Sequence, residues 1–271
     1  MKGRRLNLRV GAGITAAVVF VAIAAPMIAP GEGRGGVRLE SQLQSPGAGR
    51  ILGCDENGAD LLGRIVLGAR VAVLVGVLTV MVSLALGTAI GAMSGYLGGP
   101  VDELFMRVVD VLMSFPGVLL AIGIIAVTQS PSYASVVCAL SATGWVGYAR
   151  MARAQAQVLR GREFVLAAEA MGASPMRIVA AHLVPNMLAP LIVQATFGMA
   201  GAILAEASLS FLGLGPQDSS SWGALLDQGA QYLAIRWHMA VFPGIALFVT
   251  VLGLNLFGDG LRDMLDPKTL R

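Results

Sequence analysis

Six charge-free apolar runs, each near the roughly 20 residues needed to cross a bilayer core, constrain this chain more than any other feature. They cover 10–29, 71–97, 111–128, 133–149, 187–205 and 239–258. In hydrocarbon every backbone N–H and C=O must be satisfied within the protein, so runs of this length read as helices. The expected fold is therefore all-α: a polytopic membrane protein with about six transmembrane helices. Charged residues make up 13% of the chain, against about 25% in an average soluble domain. Pro116 interrupts the third run and is expected to kink a helix rather than end it, because neighbouring helices can satisfy the freed carbonyl. The first run follows the basic leader "MKGRRLNLR". It exceeds the roughly 7–15 residues of a signal-peptide core, so it is expected to stay as a span.

Lysine and arginine fix the expected orientation. An even number of spans places both termini on one side, together with Arg107, Arg150, Arg153, Arg160, Arg162 and Arg177. The opposite side carries Arg34, Arg38, Arg50, Arg64, Arg70 and Arg236, largely balanced by Glu32, Glu40, Asp55, Glu56 and Asp60. The positive-inside rule then makes both termini cytoplasmic. The chain reads as one transmembrane domain over 1–271, with an outer segment at 30–70, a cytoplasmic loop at 150–186 and a second outer segment at 206–238.

Several chemistries find no residues to perform them. A phosphate-binding loop needs a Gly-Lys pair whose lysine reaches the phosphates; the lysines are Lys2 and Lys268, neither after a glycine-rich loop. His182 and His238 fall on opposite sides of the membrane, which excludes a histidine pair. Cys54 and Cys138 differ in depth and lack metal-ligand spacing, so neither a disulfide nor a metal site is expected. Cys138 reads as a small apolar packing residue. Asp110 and Glu206 lie at span edges, where a carboxylate reaches water, and no carboxylate–histidine chain crosses the midplane. No catalytic residues and no cofactor are assigned to this chain.

Two local patterns remain. Gly87, Gly91, Gly95 and Gly99 recur every fourth residue, a small-residue stripe that lets another helix backbone approach. Tight static packing is the expected use, and a sliding interface the alternative. The second pattern is "EFVLAAEAMGASPMRIVAAHLVPN" at 163–186, a soluble-looking stretch in an oily chain. Phe164, Ala167, Ala168 and Met171 share one helical face, Gly172 and Ala173 are small, and Ser174-Pro175 marks the cap and first position of a second helix. That second helix is expected to stop near Pro185. The whole reads as a hairpin offering a small-residue ridge to another protein.

This stretch resembles the "EAA…G…I…LP" loop of permease subunits in binding-protein-dependent ABC importers, with Ala167, Ala168, Gly172, Ile178, Val184 and Pro185 in the pattern. The family's glutamate position holds Leu166, and an acid appears instead at Glu169, which is expected to face a charged partner. "LGCDENGADLLGRIVLGARVAVLVG" (52–76), "FMRVVDVLMSFPGVLLAI" (105–122) and the segment 208–268 resemble the dipeptide/oligopeptide/nickel branch, C-type subunit. The resemblance implies the type I importer permease architecture in a bacterial inner membrane. It also implies a pore shared with a homologous second permease and solute delivered by an extracytoplasmic binding protein. ATP and Mg would be bound by two partner ATPase subunits. Phe164, Ala167, Ala168, Glu169, Met171, Gly172 and Ala173 would form the coupling helix that docks there. Alternatives at this point are a nickel or other small-solute importer, a stand-alone ion-coupled carrier, a membrane scaffold without a pore and, for want of any catalytic constellation the weakest, a membrane enzyme. Trp222 and Trp237 are expected either as interfacial anchors or as a binding-protein contact.

Overall fold

A computed structural model describes residues 2–30, 37–47, 49–128, 131–216 and 220–265; Glu32, Arg34, Lys268 and Arg271 lie outside them. The chain is built of helices: α1 (Lys2–Ile28), α2 (Leu61–Leu97), α3 (Gly99–Ser114), α4 (Gly117–Thr128), α5 (Tyr133–Arg160), α6 (Glu163–Ala170), α7 (Pro175–Ile178), α8 (Val184–Asn186), α9 (Leu188–Phe211), α10 (Trp222–Gln231) and α11 (His238–Leu265). Among the described residues no strand forms, and the isolated β-bridge pairs Cys54 with Asp60.

Four helices among the described residues are long and apolar enough to span a bilayer: Leu6–Ile28, Leu61–Leu97, Leu188–Phe211 and His238–Leu265. A fifth candidate is the pair α3 and α4, bent by 90° at the intervening break. Pro116 thus separates two helices instead of kinking one. Ser114 ends α3, and Phe115 is extended at φ −99°, ψ 140°, the conformation that a following proline ring imposes. The expected span at 133–149 is the first part of α5, which is 28 residues long but more polar than the four. Its polar and small residues face inward, with Ser141, Tyr148, Ala149, Ala152 and Ala156 buried.

Central α2 touches α1, α5 and α9. At 37 residues it measures about 55 Å, well beyond the roughly 30 Å hydrocarbon core. Helix α2 thus begins within the expected outer segment, at Leu61, and α5 extends into the expected loop, as far as Arg160.

The glycine stripe is a seam between α2 and α5. A Cβ on Gly87 or Gly91 would run into the carbonyl oxygens of Trp145 and Ala149, and one on Gly95 would sit 2.5 Å from that of Arg153. Both series step by four, so one row of glycines lies along one row of carbonyls. Gly99 does not belong: it follows the end of α2, with open space around it. Static packing, not sliding, is what so close an approach supports.

The segment 37–60, before α2, is fastened to the helices. Buried Asp55 accepts from the backbone N–H groups of Asn57 (2.9 Å) and Ala59 (2.8 Å) and pairs with the guanidinium of Arg64. Arg64 also donates to Gln228 (3.0 Å), and Arg236 donates to the Leu43 carbonyl (2.7 Å). Trp222 is buried too; its indole N–H donates to the Ile65 carbonyl (2.9 Å) and its ring lies against Gly68. It is therefore a core residue and neither of the two expected surface roles. Trp237 is exposed, edge-on to the His238 ring.

Candidate functional site

The hairpin at 163–186 forms, and its two faces differ. Val165 and Ala168 are buried in one cluster with Ile178, Val179, Leu183 and Met187 and with Tyr96, Ala152 and Ala156 of the long helices. Phe164, Leu166, Ala167, Met171 and Met176 point away, Met171 with 82% of its surface exposed. The expected common face of Phe164, Ala167, Ala168 and Met171 is thus split, because a helix of only eight residues needs an anchor and Ala168 joins Val165 to provide it. Ala173 packs half-buried against the same cluster.

Gly172 carries the turn. Its φ is +80°, a left-handed conformation that costs other residues about 1–2 kcal/mol. Its N–H donates to the Glu169 carbonyl (2.9 Å) and that of Ala173 to the Ala168 carbonyl (3.0 Å). This pair of bonds closes a helix end on a glycine. Ser174 then takes the cap position and Pro175 the first turn of α7, although the Ser174 side chain makes no capping bond.

The second helix ends at Asn186, one residue past Pro185, but it is not a plain α-helix. A π-turn at Val179–Leu183 intervenes, with the Val184 N–H donating to the Val179 carbonyl, and the chain continues through α8 to Met187. Proline has no N–H and its ring crowds the carbonyl four residues back. One wider turn just ahead of it absorbs both problems.

Glu169 is exposed, and it also has a use within the chain. Its carboxylate accepts a 2.8 Å hydrogen bond from the Tyr96 hydroxyl at the end of α2. Nearby, Arg153 donates two bonds to Asp102 (2.6 and 2.5 Å), which also accepts from Ser94 (2.5 Å). Arg150 pairs with Asp110 at 2.8 Å in a solvent-exposed contact. The end of α2 is thereby joined by polar contacts to the hairpin and to the start of α3, and α3 in turn to α5.

A second feature lies between the long helices. A cavity of about 270 Å³ opens between α2, α4, α5 and α9, lined by Thr79, Ser83, Thr143, Tyr148 and Gln194 among small residues such as Gly117, Gly198 and Ala205. Thr79, Ser83 and Tyr148 are at least 96% buried, from exposures of 4%, 1% and 4%. Their hydroxyl oxygens find no hydrogen-bond partner among the described residues. A buried hydroxyl left unpaired costs roughly 1–3 kcal/mol, so three around one cavity point to a role. Sequence reasoning passed over these residues; the available signal was Thr79 and Ser83 four apart in a charge-free run.

The remaining candidates resolve differently from expectation. Glu206 is buried, not at a wet edge, and accepts from Ser210 at 2.8 Å. Cys138 is exposed on the outside of α5, not an interior packing residue, while Cys54 is buried. Among the described residues no group of three or more His, Cys, Asp or Glu side chains is placed to hold a metal ion.

Residues 87–271 match the family described as "Binding-protein-dependent transport system inner membrane component". A protein of Brucella suis biovar 1, provisionally named as a peptide transport system permease protein, is 43% identical over 98% of this chain and 89% of its own length. The dipeptide transport system permease protein DppC of Alkalihalophilus pseudofirmus is 39% identical over 96% of this chain and 85% of its own. The glutathione transport system permease protein GsiD of Pectobacterium atrosepticum is 36% identical over 97% and 88%. Among solved structures, an inward-facing form of the MetNI methionine ABC transporter superposes with a TM-score of 0.59. It covers 76% of this chain and 98% of its own at 20% identity, a likeness of fold.

Proposed function

Because the chain belongs to the binding-protein-dependent transport system inner membrane component family, we propose that it is one of two permease subunits of an ATP-driven importer of di- or oligopeptides. An extracytoplasmic binding protein delivers the peptide, and two ATP-binding subunits on the cytoplasmic side supply the energy. The coupling helix around 164–173, within the hairpin, is the element that seats on one of them.

The observation that carries this reading is the division of α6. Its inner side is fixed by Val165 and Ala168, and its outer side offers Phe164, Ala167 and Met171 with no intramolecular use. A short helix held so firmly, yet bare and apolar outward, suits a groove on another protein. The glycine turn and the Glu169–Tyr96 bond keep that face pre-formed, so docking orders few residues. Peptide as the cargo is supported by the names of the relatives.

The test is purification of the tagged chain from its own membrane in mild detergent, followed by reconstitution. Recovery with a second permease and ATP-binding proteins in stoichiometric amounts, and dipeptide uptake that stops when ATP is withheld, are the expected results. A stable lone protein that exchanges solute without ATP would identify an ion-coupled or passive carrier and overturn the proposal.

A further inference from the structure

We propose that the cavity between α2, α4, α5 and α9 is a solute contact site, where Thr79, Ser83, Tyr148 and Gln194 hydrogen-bond the uncharged peptide unit of the passing substrate. This inference rests on the importer reading above and adds where, and by which groups, this chain touches its cargo.

The lining supplies the chemistry. Hydroxyls both donate and accept, and the Gln194 carboxamide carries two donors and an acceptor. Together they complement an amide, which presents one N–H and one C=O. The cavity is lined without an Asp, Glu, Lys, Arg or His. Nothing in it matches the charged ends of a peptide, and nothing in it supplies the imidazole or thiolate ligands that suit a transition-metal cation such as nickel. Its volume of about 270 Å³ falls just under the range of about 300–1,000 Å³ for drug-sized ligands. One peptide unit with its small flanks fits; a long peptide passes through in pieces.

The small residues around it have a specific use. A Cβ on Gly198 would collide with the Tyr148 hydroxyl, and one on Gly144 would stand 2.6 Å from the Ser83 Oγ. Two glycines from different helices therefore make the room in which these oxygens sit. Ordinary core packing fills such space with methyl groups and replaces the hydroxyls by apolar side chains. Buried polar groups are retained in a membrane interior where a polar species has to be met there. Contact by neutral hydrogen bonds alone is also weak, which suits a site that has to release its cargo.

The experiment uses the complete importer in proteoliposomes with its own binding protein. The probes are alanyl-glycine and alanyl-sarcosine, which differ by an N-methyl group on the peptide nitrogen. Sarcosine removes the N–H, so wild type is expected to take up alanyl-glycine several-fold faster. In Tyr148→Phe and Ser83→Ala the rate for alanyl-glycine should fall about tenfold and the preference should collapse toward one. Because the binding protein is the same in every preparation, a changed preference belongs to the permease. Ser141→Ala removes another buried, unpartnered hydroxyl of α5 that does not line the cavity; its preference should stay at the wild-type value, whereas a general packing effect would move it too. Wild-type uptake with an unaltered preference in Tyr148→Phe and Ser83→Ala overturns this inference alone and leaves the cavity to water. Absence of ATP-driven dipeptide uptake in wild type overturns the importer reading and this inference with it.

Discussion

Gly172 shows how much a single residue decides. A Cβ there meets nothing within 4 Å, so a substitution is opposed by backbone strain alone. Gly172→Leu is expected to leave the protein in the membrane but to reduce dipeptide uptake more than ATP hydrolysis, because the turn opens and the docking face shifts. Gly172→Asn, with a side chain that tolerates φ near +60°, should retain most of the coupling. Equal uptake per ATP in Gly172→Leu and wild type would show that the turn is not part of the docking element. The glycine was readable from sequence because its neighbours obey local rules: Ser174 and Pro175 fix the next helix start. Glu169 was not readable, because its partner Tyr96 is 73 positions away and no local pattern points to it. The same distance problem hid Trp222, whose role depends on Gly68 and Ile65.

Among the elements, α2 and α5 depend on each other most closely. Gly91→Leu would drive a side chain into the Ala149 carbonyl. Overpacking of a core typically costs about 1–3 kcal/mol, and a collision with backbone cannot be relieved by a change of rotamer. Gly123→Leu, where the added Cβ meets nothing within 4 Å, provides the contrast. Thermal unfolding in detergent should show a large drop for the first and little change for the second; equal melting points would dissolve the seam. The runs themselves announced most of these helices, since absence of charge over such a length has few physical meanings. Helix limits were harder to see. Arg64 and Arg70 suggested loop before α2, yet Arg64 lies buried against Asp55, a pairing that removes the penalty the sequence suggested. Pro116 was misjudged for a related reason. Whether a proline kinks or separates depends on which neighbours accept its freed groups, and that is settled by tertiary packing.

For the whole molecule, sidedness is the property to measure. In a chain whose native cysteines are replaced, Met176→Cys is expected to react with an impermeant thiol reagent only when the cytoplasmic face is opened. Ile51→Cys should react from outside in intact cells. Both parent side chains are well exposed, at 66% and 75%, so a silent position would not reflect burial. Reaction of both from one side would invert or abolish the arginine argument. The opposed ends are linked mechanically by the row of glycines that lies on the row of carbonyls. Two helices with no clearance between their backbones resist shearing past one another, so α2 and α5 are expected to move as one strut. From Arg160, beside the hairpin, to Thr143, at the cavity, that strut runs about 25 Å at the helical rise. A push delivered to the hairpin by a partner would then be carried along the strut to the cavity wall. Any compliance in that wall would have to lie off the strut, and the right-angled break before Pro116, beyond which α4 packs on α5, is the place for it.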